Sequence, residues 1–168
     1  MATELSLLTT KSSSPMTRKY QISASLRRVM ANDAPTVADL DLNDEHITVG
    51  VDDTIQEAAR RLLTVPGGIL VVLSDDAKVK GVLGYKQMLL AIDKEIDTTV
   101  ATCGQHMEMD FMEITPQDEL SSVLRKVRQR SPQAVIVVDD NGDFGGYFSP
   151  SDYQESRAIV KSLKKLKL

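Results

Sequence analysis

One cysteine, Cys103, and no tryptophan occur in this 168-residue chain. A lone cysteine closes no intramolecular disulfide and supplies no thiolate cluster for zinc, and it suits a reducing compartment. The longest unbroken aliphatic runs, 69–73 and 134–138, are five residues each, far short of the roughly 20 needed to span a bilayer. No membrane span is expected, and the body of the chain is expected to be cytoplasmic. The two histidines, His46 and His106, lack the spaced His, Cys or carboxylate partners of a metal centre and are read as surface residues. Asp139-Asp140-Asn141-Gly142-Asp143 has neither the spacing nor the closing Glu of a calcium loop, so it is read as a turn. Val65-Pro66-Gly67-Gly68 lacks the Gly-Lys-Ser/Thr of a phosphate-binding loop, and Cys103 has no candidate base near it in sequence. No catalytic residue and no required cofactor are assigned, and the chain is not expected to be an enzyme.

Charge is present in both signs but unevenly placed. Residues 1–30 carry Lys11, Arg18, Lys19, Arg27 and Arg28 against Glu4, and residues 157–168 carry Arg157, Lys161, Lys164, Lys165 and Lys167 with no acid. Because the whole chain is −4, residues 31–156 are left at −13. An acidic body with two basic ends either attracts its own ends or offers them to nucleic acid, an anionic membrane or an acidic partner. Residues 1–19 are rich in Ser and Thr without periodicity and read as a tail, with the composition of an organelle transit peptide as an alternative. Ile22, Leu26, Val29 and Met30 then recur at helical spacing and predict a short amphipathic helix before Pro35.

An internal repeat organises the rest. A shift of 65 residues lays Asp53-Thr54-Ile55 on Asp118-Glu119-Leu120 and continues without a gap to Met88 on Tyr153. Ile55, Ala58, Ala59 and Leu62 in one copy, and Leu120, Val123, Leu124 and Val127 in the other, give each an amphipathic helix. The runs at 69–73 and 134–138 are too short for helices and rich in β-branched residues, so they read as strands buried on both faces. Acidic turns follow, the second containing the hairpin dipeptide Asn141-Gly142. Gly81-Val82-Leu83 and Gly146-Tyr147-Phe148 supply a further strand, and a second helix follows each. Ile47-Thr48-Val49 and Met112-Glu113-Ile114 supply leading strands. Each copy therefore reads strand, helix, strand, strand, helix.

Two such units, introduced by Thr36-Val37-Ala38-Asp39-Leu40 and Thr99-Val100-Ala101-Thr102-Cys103, resemble a tandem pair of CBS domains over roughly residues 36–160. The resemblance implies an α/β (α+β) fold of two βαββα repeats packed as one pseudo-twofold module, with an N-terminal tail and a C-terminal helix. The expected boundaries are 1–35 for the tail and short helix, 36–92 for repeat one, 93–98 for a linker and 99–168 for repeat two with its basic helix. It also implies a homodimer, for which the helices 85–92 and 150–166 are the candidates. The implied function is regulatory: an adenosine-type nucleotide (AMP, ADP, ATP or S-adenosylmethionine) sits in the cleft between repeats, and the module acts on an unidentified effector protein in trans. The alternative is a ligand-free dimeric scaffold whose basic ends contact nucleic acid or an acidic partner.

The family's ligand motif, Gly-x-x-Thr/Ser-x-x-Asp, is matched by Gly146-Tyr147-Phe148-Ser149-Pro150-Ser151-Asp152. The ligand-binding residues implied by the resemblance are Ser149, Ser151, Asp152, Thr115, Ala134 and Val135. A helix start offers free backbone N–H groups and a positive dipole end to phosphate, and a carboxylate can accept from ribose hydroxyls. The same residues also make a helix cap, with Ser149 at the N-cap, Pro150 at the first helical position and Asp152 at the third. Copy one reads Gly81-Val82-Leu83-Gly84-Tyr85-Lys86-Gln87, which lacks both the hydroxyl and the acid, so one good site per chain is expected. Nucleotide-binding members of the family often carry a basic residue just before the second strand, where this chain has Gln133 and Ala134, and Gly68 and Ile69 in copy one; the resemblance therefore disfavours ATP and leaves AMP, adenosine or S-adenosylmethionine.

Overall fold

Apolar periodicity sets the first repeat. In α1 (Ile55–Leu62) the stripe Ile55, Ala58 and Leu62 is buried, and the Thr54 hydroxyl caps the helix by accepting from the Glu57 N–H at 3.2 Å. This helix is the crossover between two parallel strands, β1 (His46–Gly50) and β2 (Ile69–Leu73). A tight turn leads to β3 (Val79–Leu83), antiparallel to β2, and α2 (Tyr85–Asp93) follows. The second repeat has the same order: β4 (Phe111–Ile114), α4 (Leu120–Arg130), β5 (Ala134–Val138), β6 (Phe144–Tyr147) and α5 (Pro150–Leu166), with a short α3 (Cys103–His106) between the repeats. Both sheets run 1-2-3 in space, and both kink between the last two residues of the central strand. This is the α+β double βαββα architecture that the repeat predicts. The computed structural model describes residues 33–42, 46–65 and 68–166, so the helix expected over residues 20–30 lies outside the described residues.

The two acidic turns are equivalent but not identical. Gly142 (φ 78°) and Ala77 (φ 62°), 65 residues apart, both take the left-handed conformation, which strains only the alanine. Asn141 does not share it; its N–H and that of Asp143 donate to Asp139 Oδ1 at 2.8 and 2.9 Å. The Asn-Gly pair therefore serves a wider Asx-stabilised loop instead of a two-residue hairpin.

The sheets meet face to face through Val71, Val79 and Val82 of one repeat and Ala134, Ile136, Val138 and Tyr147 of the other. Helices cover the opposite faces, which is why every residue of β5 is buried. At the pseudo-twofold axis Lys78 pairs with Asp143, its own repeat equivalent, with Nζ 2.6 Å from Oδ1. That hydrogen bond raises the lysine pKa, and Nζ also donates to the Asn141 carbonyl. Both side chains are over a third exposed, so the pair fixes register more than it stabilises.

Lead-in segments are exchanged between the repeats. The segment before repeat one forms a 3-10 turn (Val37–Asp39) whose Val37, fully buried, lies in the core of repeat two with Met112, Ile114 and Leu120. Val37 N–H donates to the Asp118 carbonyl at 3.0 Å, and Pro35 carbonyl accepts from Leu120 N–H, the first of α4, at 3.0 Å. Reciprocally, Ala101 and Cys103 lie in the core of repeat one. Ala101 carbonyl accepts from Ile55 N–H, the first of α1, at 2.9 Å, and Cys103 N–H donates to Asp53 carbonyl at 2.8 Å. Helix starts leave backbone donors unsatisfied, and each repeat here satisfies the other's. Burial, with the Asp53 carboxylate second, pushes the Cys103 thiol up to about 11, so this cysteine is a core residue.

Past α3 the exchanged chain crosses the edge of β3, where Val82 and Glu108 trade N–H···O bonds at 2.9 and 2.8 Å. A Cβ on Gly81 would stand 2.8 Å from the Glu108 carbonyl oxygen and 2.7 Å from Met107 Cγ. On Gly146, the equivalent residue, it would stand 3.2 Å from Leu42 Cβ. Chain crossing thus leaves no room for a side chain at Gly81 and little at Gly146. Gly81→Ala should lower stability by about 1–3 kcal/mol, as overpacking does, seen as a lower urea midpoint with an unchanged slope. An unchanged midpoint would contradict the close approach.

Candidate functional site

Strand β6 ends at Tyr147, and Phe148, Ser149 and Pro150 carry the chain into α5. Proline suits the first helical position because its missing N–H has no partner to lose. Ser149 N–H donates to Asp152 Oδ2 at 2.8 Å and Asp152 N–H donates to Ser149 Oγ at 3.2 Å, with the two residues only 1% and 4% exposed. This is a buried reciprocal capping box. In repeat one Gly84 N–H donates to Gln87 Oε1 at 2.9 Å, and glycine has no hydroxyl to return the bond. Gln87 therefore keeps half of the cap and neither the hydroxyl nor the charge.

Beside the cap lies a cavity of about 220 Å³. Gln133, Ala134 and Val135 at the start of β5 form one wall, and Tyr147, Phe148 and Ser149 form another. Tyr153 and Gln154 of α5 face them, with Val127 and Pro132 closing the side toward α4. No charged side chain is among the lining residues. The Phe148 N–H is taken by the Val135 carbonyl and the Gln133 N–H by the Asp110 carbonyl, both at 3.0 Å, so these walls are held by the sheet. The volume is below the roughly 300–1000 Å³ of typical ligand pockets. Flat aromatic and apolar walls of this size suit a planar ring system better than a whole nucleotide.

The structure brings Ser149, Ala134 and Val135 to this cavity and leaves the other three expected residues outside its lining. Ser151 is exposed on the first turn of α5, and Asp152 is buried in the cap. Thr115 belongs to the turn before α4, where its N–H donates to Asp118 Oδ2 at 2.9 Å. Sequence reasoning passed over Tyr147, Phe148 and Tyr153, although three of the chain's seven Phe and Tyr residues within one seven-residue stretch were a readable signal. Of the two arginines near the start of β5, Arg130 is tied to Asp110 at 3.1 Å and to the Phe111 carbonyl at 3.0 Å. His46 is not a plain surface residue: its ring packs edge-on to Phe144 at 5.3 Å and to Tyr147 at 6.4 Å. Among the described residues no group of three or more His, Cys, Asp or Glu is gathered to hold a metal ion. No helix of the described residues is long and apolar enough to cross a membrane.

The family model for the CBS domain matches residues 27–94, and the second sheet and its helices repeat that unit. The chain has the fold of a tandem CBS domain pair. Solved structures share the fold. A CBS domain protein from Pyrobaculum aerophilum, complexed with AMP, is 22% identical, with 78% of this chain and 99% of that one covered at a TM-score of 0.65. CBSX2, an Arabidopsis thaliana CBS-pair protein solved in complex with AMP, is 19% identical over 75% of this chain and 98% of that one, with a TM-score of 0.61. A CBS-domain-containing protein from Agrobacterium tumefaciens is 22% identical over 74% of this chain and 94% of that one, with a TM-score of 0.60. No curated protein matches the sequence. In this CBS pair the motif glycines serve the exchanged lead-ins, and the Ser149–Asp152 cap holds the first turn of α5 against the cavity.

Proposed function

We propose that this CBS pair is a regulatory module whose second-repeat cavity takes the base of an adenosine-type nucleotide and whose occupancy is passed to a partner protein in trans. The observation that carries the reading is the uncharged, aromatic-walled cavity opening beside the start of a 17-residue helix. A base would lie against Tyr147, Phe148 and Tyr153, along the backbone of Ala134 and Val135. A cavity this small leaves ribose and phosphate outside, near the positive end of α5 and the exposed hydroxyl of Ser151. Asp152 serves by holding that turn. With no charged side chain in the cavity lining and Arg130 held by Asp110, the reading favours AMP, adenosine or S-adenosylmethionine over ATP. The AMP complexes of two fold relatives support this choice.

The self-contained cap favours a second reading, a ligand-free scaffold. A thermal-shift panel separates the two. AMP at 100 times its Kd should add about 2.7 kcal/mol, or roughly 5–10 °C for a domain of this size, and Tyr153→Ala should abolish the shift. If no adenosyl compound raises Tm, the scaffold reading replaces the sensor.

The same reading includes a homodimer. Leu89 and Ile92 of α2 are 66% and 71% exposed, apolar surface that a second copy would cover. The other helix expected to take part, α5, carries Arg157, Lys161, Lys164 and Lys165 on exposed positions and would repel its own copy, so the contact falls on repeat one. Light scattering at micromolar concentration should give a dimer mass, reduced to a monomer by Leu89→Lys with Ile92→Lys. A monomeric parent chain would contradict the pairing.

A further inference from the structure

A cavity of about 210 Å³ lies on repeat one, between α2 and the exchanged α3. Four polar side chains line it: Gln87 of α2, Lys94 just past its end, and Gln105 and His106 of α3. Both glutamines are caps. Gln87 Oε1 accepts from the Gly84 N–H at 2.9 Å, and Gln105 Oε1 accepts from the Thr102 N–H at 3.1 Å. With each amide oxygen turned to a backbone donor, the end left to each glutamine is its NH2, which can only donate. Among the described residues neither amide nitrogen, nor Lys94 Nζ, nor the His106 ring has a hydrogen-bond or ion-pair partner. No carboxylate lines the cavity. Of the acids near it in sequence, Asp93 and Glu95 are exposed, Asp97 accepts from Thr99, and Glu108 accepts from the Asp110 N–H.

The two glutamines set this place apart from its counterpart in repeat two. There the equivalent backbone N–H groups, of Ser149 and Thr36, donate to carboxylates, Asp152 Oδ2 at 2.8 Å and Asp39 Oδ2 at 2.9 Å. An acid accepts the same bond and also complements the helix dipole, so capping alone does not account for an amide at both positions. What the amides add is one donor each. The cavity is also not repeat one's version of the nucleotide cavity. The counterparts of Pro150, Tyr153 and Gln154 are Tyr85, Met88 and Leu89, which occupy the opposite side of α2 from Gln87, Ala91 and Lys94. Leu89 and Ile92, the surface assigned to a second copy, share that opposite side. We infer that this cavity binds a small organic carboxylate, its anionic end on Gln87, Gln105, Lys94 and His106 and its aliphatic part against Leu90, Ile96 and Met107. Convergent donors with no acid among them select an anion. The apolar wall selects an organic anion over inorganic phosphate, and the volume, below that of typical ligand pockets, admits only a few heavy atoms. The inference does not rest on nucleotide binding.

The test is an NMR titration of the full ¹⁵N-labelled chain, without nucleotide, with butyrate as the probe and with its neutral isostere butyramide and inorganic phosphate alongside. Ligands of so few atoms bind weakly, so each titration runs to about 50 mM at constant ionic strength. Butyrate should shift the side-chain NH2 signals of Gln87 and Gln105 and the backbone amides of Lys94 and His106 saturably. Gln87→Asp with Gln105→Asp installs the acids that repeat two has at these places, so both caps are kept while the donors become acceptors. Binding to that variant, read from the Lys94 and His106 amides, should be at least tenfold weaker. Lys94→Met removes an exposed side chain that caps nothing and should weaken binding at least threefold, which keeps the test decisive if the double variant loses Tm. Lys86→Glu, outside the lining, should leave the affinity unchanged. No saturable shift with butyrate, equal or tighter binding of butyramide or phosphate, or affinity indifferent to Lys94→Met would overturn the inference. So would displacement of butyrate by AMP, which would merge this cavity with a nucleotide site. Absence of an AMP effect in the thermal panel would leave butyrate binding intact, so the two readings fail separately.

Discussion

The first backbone donors of α1 and α4 are closed by carbonyls of Ala101 and Pro35, each supplied by the lead-in of the opposite repeat. Much else follows from that exchange. Val37 becomes a core residue of repeat two and Cys103 of repeat one, so neither repeat has a complete core alone. Each buried side chain of this size is worth about 1.5–3 kcal/mol, and each helix start loses its closure if the partner repeat is removed. The exchanged chain must then pass the edge of the last strand, which leaves room only for glycine at position 81 and little more at 146. The lead-ins thus join the repeats into a single packing unit, and the Lys78–Asp143 pair sets its axis.

Within that shared frame the copies diverge at the helix start that follows the last strand. Gly84 and Gln87 form a partial cap, whereas Ser149 and Asp152 form a complete one. The complete cap holds the first turn of α5 beside the start of β5, where Tyr153 closes the cavity over Ala134 and Val135. Asp152 Oδ2 accepts from the Ser149 N–H and so helps hold that wall. Farther along α5, Ala158, Val160 and Lys161 line a groove together with Leu124 and Arg128 of α4. Gln154 lines both spaces, so one helix serves the cavity at its start and the groove along its length.

Most of the architecture was legible because local pattern and burial agree. The stripe Ile55, Ala58, Leu62 and the runs 69–73 and 134–138 each encode one element, and the 65-residue offset shows that the elements recur. The exchange of lead-ins was not legible, because Thr36-Val37-Ala38-Asp39 and Thr102-Cys103-Gly104-Gln105 have the same capping pattern whichever repeat they dock on. The site was legible only in part. Ser149, Ala134 and Val135 follow from the motif and the strand, while Tyr147, Phe148 and Tyr153 converge only when β6 and α5 fold beside β5. Asp152 could be read as cap or ligand from spacing alone, and the structure shows the two hydrogen bonds of the cap.

The account's central claim is that the base of an adenosine-type nucleotide enters repeat two and not repeat one. An amide-resolved NMR titration of the ¹⁵N-labelled chain with AMP tests it most directly. The account predicts saturable shifts centred on the amides of Ala134, Val135, Phe148 and Ser149, with their counterparts Ile69, Leu70, Leu83 and Gly84 nearly still. Shifts centred on that second set, or no saturable shift anywhere, would contradict it.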